Sequence, residues 1–74
     1  MITVILQGWE DGLEKVSLTK LQMEVLGQSL KESKENVDKL LDGEIVEIFV
    51  DEIDKAKMFV QKASSMGAIC KYES

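Results

Sequence analysis

Apolar and polar positions along the chain follow two different periods, and the switches between them outline the elements. Residues 2–6, Ile2-Thr3-Val4-Ile5-Leu6, form a short β-branched run ending near Gly8, which predicts a strand. Residues 7–14 read as a loop. Gly8, Gly12, Glu10 and Asp11 are turn formers, and Trp9 is an apolar exception, either a lid over the core edge or an exposed contact. From Val16 the period becomes helical, with Leu18, Leu21, Val25 and Leu26 at i, i+3, i+7 and i+8, and Gly27 is the stop. Ser29-Leu30-Lys31-Glu32 reads as a capping box, in which the Ser29 hydroxyl accepts from the Glu32 amide and the Glu32 carboxylate reaches back to the Ser29 amide. A second helix therefore starts here, with Leu30, Val37, Leu40 and Leu41 as its apolar positions and Gly43 at its end.

Period two returns over residues 44–50, where Val46, Ile48 and Val50 share one face and Glu47 takes the other. Asp51 is placed to cap a third helix, with Glu52 and Asp54 in a first turn where the helix dipole favours negative charge. That helix should run to about residue 66 and bury Ile53, Ala56, Val60 and Ala63. Gly67 ends it, and Ala68, Cys70 and Tyr72 alternate with Ile69 and Lys71 as a short third strand. The order β-α-α-β-α-β predicts an α+β fold: a two-layer α/β sandwich, with a three-stranded sheet carrying three helices on one face, as a single domain over residues 1–74.

Composition limits what such a domain can do. A chain of 74 residues hides only about 60% of the surface it exposes when unfolded, so its core is thin. With 45% hydrophobic and 31% charged residues it has enough apolar surface to fold. Stability should stay near ~3–5 kcal/mol, because a single cysteine makes no internal bridge. The apolar N-terminus lacks the basic flank and small-residue cleavage site of a signal peptide, and no stretch approaches the ~20 apolar residues of a membrane span. These features predict a cytoplasmic protein without a membrane partner. Net charge is −5, all nine basic residues are lysine, and arginine is absent, which argues against a nucleic-acid partner. Histidine is absent too, removing the commonest general base and metal ligand.

Candidate chemistry is correspondingly sparse. Cys70 has no histidine to activate it and sits on an alternating strand, so it reads as a packed strand cysteine. Asp51, Glu52 and Asp54 lack the glycine turn and terminal glutamate of a calcium loop and read as a solvated helix start. Glu10 and Asp11 beside Trp9 invite a paired-carboxylate reading, but a chain this small has no room for the surrounding cleft. No cofactor motif and no catalytic constellation is present, and the expectation is a non-enzymatic domain with no cofactor. What stands out is a set of lysines on an acidic protein: Lys15 and Lys20 on the first helix, Lys31 and Lys34 at the start of the second. A helical hairpin through Gly27 and Gln28 would make them neighbours on one patch, although ordinary solvated helix faces also carry lysines.

Lys15-Val16-Ser17-Leu18-Thr19-Lys20, then Gly27, then Leu30-Lys31-Glu32-Ser33-Lys34 and Val37, resembles the C-terminal domain of the bacterial ribosomal stalk protein. Val4-Ile5-Leu6 and Met66-Gly67-Ala68 resemble that family's first strand and final turn, so the resemblance covers nearly the whole chain. It implies the same β-α-α-β-α-β sandwich and a protein partner, a translational GTPase in that family, contacted through the first two helices. The implied surface is Val16, Thr19, Lys20, Met23 and Lys34, with Lys15 and Lys31 beside it. Two departures matter: the family's arginine falls on Met23 and a hairpin glycine falls on Ser29. Loss of the arginine fork weakens carboxylate recognition and Met23 offers an adaptable apolar contact instead, which leaves room for another factor as partner beside a translational GTPase. The family's N-terminal dimerising segment and hinge have no counterpart here, which implies a stand-alone domain or a competitor for the stalk's partners. A second resemblance in fold is to ClpS, the adaptor of the Clp protease. That family's Asn-Asp pair is replaced here by Trp9-Glu10-Asp11, and its histidine has no equivalent.

Overall fold

Alternation along the strands decides which side of the sheet becomes the core. The computed structural model describes all residues 1–74 and contains β1 (Ile2–Trp9), α1 (Lys15–Leu26), α2 (Leu30–Leu41), β2 (Val46–Val50), α3 (Ile53–Ser65) and β3 (Ala68–Glu73). The sheet order is β2-β1-β3, with both pairings antiparallel. Ile2, Val4 and Leu6 of β1, Val46, Ile48 and Val50 of β2 and Ala68 of β3 are buried in one core with Leu18, Leu21, Val37, Leu40, Ala56, Phe59 and Ala63 from the three helices. The structure is therefore the expected α+β sandwich, with all helices on one face of a three-stranded sheet. α2 and α3 lie against the sheet, and α1 packs across both. No helix is long and apolar enough to cross a membrane.

β1 is longer than residues 2–6. Leu6 pairs with Cys70 but Gly8 pairs with Ile69, so Gln7 is an extra residue in a bulge, and the strand resumes to Trp9 opposite Ala68. Gly8 had looked like a stop; it lies inside the strand instead. β1 is also the central strand, which accounts for its nearly unbroken apolar run. Ile5, on the face away from the helices, is still only 8% exposed, flanked in register by Glu47 and Lys71, whose aliphatic stems can lie along it.

The helix ends follow local chemistry, with some corrections. α1 stops at Gly27, whose φ of 70° suits a left-handed cap, and the Gly27 and Gln28 amides both return to the Gln22 carbonyl. At α2 the Ser29 hydroxyl accepts from the Glu32 amide at 3.1 Å, as expected. The Glu32 carboxylate, however, accepts the Ser29 hydroxyl proton at 3.0 Å rather than reaching back to the amide. β2 begins at Val46 rather than residue 44, because the Glu44 amide is still tied to the Lys39 carbonyl at 3.0 Å. The cap of α3 is Glu52, not Asp51, and it makes no side-chain cap bond.

Helical faces differ from expectation by a rotation. Leu30, at the first position of α2, is half exposed, and Ile53, at the first position of α3, is 39% exposed. The buried row of α3 is Ala56, Phe59 and Ala63, while Val60 is only partly buried at its margin. Both rows satisfy helical spacing, and the larger side chain took the centre.

The 10–14 loop is pinned to the α3–β3 turn. The Glu10 amide donates to the Gly67 carbonyl at 2.8 Å and the Glu14 amide to the Met66 carbonyl at 3.0 Å, so Leu13 closes over the core edge. Gly67 has φ of +99°, and a Cβ there would stand 3.1 Å from the Leu13 Cα. Gly67→Ala should therefore cost about 1–3 kcal/mol, from backbone strain and displacement of that loop, read as a lower urea midpoint. An unchanged midpoint would mean that the turn relaxes freely.

Candidate protein-binding surface

The relation of α1 to α2 is set by a buried polar side chain. Gln22 is fully buried in the middle of the α1–α2 contact. Its Nε2 donates to the Ser33 carbonyl at 3.1 Å and the Leu18 carbonyl at 3.3 Å, and its Oε1 accepts from Asn36 Nδ2 at 2.9 Å. Such bonds are directional where apolar packing is not, so they hold one helix in register against the other. Ser33 is fully buried opposite, and its hydroxyl has no hydrogen-bond partner. Sequence reasoning missed both residues because they are polar. The signal was spacing: Gln22 follows Leu18 by four positions, and Ser33 precedes Val37 by four, on the same stripe as the core leucines.

That register opens a shallow groove of about 190 Å³ near the start of α1, lined by Lys15, Val16 and Thr19 of α1 and Lys34, Val37, Asp38 and Leu41 of α2. Val37 is buried, whereas Val16 is 69% exposed on the rim. The Thr19 hydroxyl donates to the Lys15 carbonyl at 3.0 Å, which turns it toward its own helix. Four of the seven candidate residues, Lys15, Val16, Thr19 and Lys34, thus line one groove.

The others are placed differently. Lys20 lines a second groove, of about 230 Å³, between α1 and α3, with Ser17, Leu21, Glu24, Lys62 and Met66. The expected convergence of Lys20 with Lys34 is therefore replaced by convergence of Lys15 with Lys34; each residue along a helix turns it by 100°, and Lys20 faces α3. Met23, 38% exposed, lies two turns after Val16 on the same side of α1 and continues its apolar row. Lys31 is exposed on α2 and lines neither groove. Trp9, 42% exposed at the end of β1, lines no groove either.

Elsewhere the side chains offer little chemistry. Cys70 is half-buried, its Sγ donating to the Val60 carbonyl at 3.8 Å and standing 3.7 Å from the Ser64 hydroxyl. Burial pushes the thiol's pKa up, the Ser64 hydrogen bond acting in the opposite direction, so the reactive thiolate is disfavoured at neutral pH. No three Cys, Asp or Glu side chains are grouped to hold a metal ion. Neither protein-family models nor curated proteins provide a match to this chain.

Proposed function

We propose that this chain is a non-catalytic, cytoplasmic protein-binding module whose contact surface is the α1–α2 groove, a role like that of the factor-recruiting domain of the ribosomal stalk. The observation that supports this most is the composition of the groove: exposed Val16 beside the buried Val37 floor, with a lysine on each wall. Apolar centres with charged rims suit specific protein contacts. Asp38 shares the groove, so it fits a mixed apolar and acidic protein surface better than a uniform polyanion. In this reading the partner is a translational GTPase, met through Lys15, Val16, Thr19 and Lys34, with Met23 extending the apolar contact and Lys20 and Lys31 outside the groove.

The test is a titration with a purified translational GTPase. Lys15→Glu combined with Lys34→Glu should leave stability within about ±0.5 kcal/mol, as exposed substitutions usually do. Binding should weaken, mainly through a slower association rate, and wild-type affinity should fall as salt rises. Equal binding by the double variant would move the surface elsewhere. Loss on Lys20→Glu alone would point to the α1–α3 groove, and absence of any GTPase binding would sink the stalk-like role.

A further inference from the structure

β2 is one of the two edge strands of the sheet, β3 being the other. β2 pairs with β1 alone, and no hydrogen bond outside that ladder reaches a backbone group of Val46–Val50. Alternate residues of an antiparallel edge strand turn their N–H and C=O groups outward, a ready template for a further strand. Beside this edge runs a groove of about 280 Å³, lined by Gln28, Glu32 and Asn36 from the α2 side and by Glu47, Ile48 and Phe49 of β2. Phe49 is 66% exposed and Ile45, just before the strand, is 65% exposed, so large apolar side chains stand at the open edge.

Charge selects the occupant. The groove lining contains two carboxylates, Glu32 and Glu47, and no cation. Glu44 and Asp51 flank the strand, and none of these four acids is in an ion pair. A second copy of the chain pairing edge to edge would place two sets of these acids along one short ladder, where like charges repel. An incoming strand bearing lysine or arginine meets no such penalty. We propose that β2 accepts a basic, extended segment of another protein as a fourth strand, its cationic side chains lying along Phe49 with their charged ends at Glu47 on the helix-free face, and its alternate side chains turned to the helix side, where Glu32 stands. Backbone pairing supplies the geometry, and the side chains of alternate residues supply the choice of sequence. This edge is separate from the α1–α2 groove, and the inference stands without it.

An amide NMR titration with an acetylated peptide of alternating lysine and valine tests the proposal, with an analogue carrying glutamate for lysine as the comparison. The expected result is saturable shifts over Val46–Val50 with a Kd of about 1 mM or tighter, weakening as salt rises, and none with the acidic analogue. Glu32→Lys with Glu47→Lys should weaken binding on the order of tenfold while the remaining spectrum keeps its native dispersion. Phe49→Ser should weaken it as well. Several results would overturn the proposal: silent Val46–Val50 amides, shifts confined to the Lys15 and Lys34 groove, equal binding of the acidic analogue, or undiminished affinity in the double variant. Concentration-dependent self-association of the chain through β2 would assign the edge to a second copy instead.

Discussion

Phe59→Ala is expected to leave the domain largely unfolded at room temperature. Phe59 has no exposed surface and sits in the centre of the α3 row facing the sheet. Truncating a fully buried phenylalanine costs about 3–5 kcal/mol, from lost burial plus the cavity left behind. A domain of this size holds roughly that much in total. Circular dichroism should show a collapsed or absent unfolding transition, and one-dimensional NMR should lose its dispersed methyl signals. Phe49→Ser offers the contrast, because that ring is 66% exposed and its loss should change stability by no more than about 0.5 kcal/mol. If the two substitutions destabilise equally, the division between the faces described above is wrong.

The second large effect is expected at Gln22. Gln22→Ala removes three hydrogen bonds at the α1–α2 contact and leaves a cavity, for a cost of about 2–3 kcal/mol. Part of that loss comes from depriving Asn36 of its acceptor, so Asn36→Ala in the same background should add less than it does alone. Gln22→Met, which fills the space without the bonds, should recover some stability but not the fixed register, so binding at the proposed α1–α2 surface should be weaker than in the wild type in both variants. Ser33→Ala should go the other way, neutral or slightly stabilising, since its buried hydroxyl has no partner to lose. Wild-type stability in Gln22→Ala would show that the interlock contributes nothing net.

The element order was legible because punctuation and period agreed. Gly27, Gly43 and Gly67 all adopt positive φ at element ends, and Ser29 caps where its spacing to Glu32 indicated. Rotation about each helix axis was harder to read. Ala56 and Ala63 fit a stripe with either Phe59 or Val60 between them, and only packing against the sheet selects Phe59. The candidate groove suffered from the same ambiguity: Lys15 and Lys20 differ by more than a third of a turn, so α1 carries them to different neighbours, α2 and α3. The bulge at Gln7 was invisible because a glycine next to a strand reads as its end, and whether the chain continues depends on a partner sixty residues away in sequence, in the Ala68–Glu73 segment.

The central position of β1 also has a consequence for how the chain comes to be folded. Its partners are Val46–Val50 and Ala68–Glu73, so β1 precedes both in the chain and gains its first ladder only when β2 exists and its second only with β3. The α1–α2 hairpin is the opposite case, local in sequence and locked by its own Gln22 bonds. A nascent chain can therefore assemble its helical hairpin early and must carry Ile2, Val4 and Leu6 unpaired until β2 emerges. During that interval an apolar strand with two open edges is available to any chaperone, or to any neighbouring nascent chain, that binds extended segments.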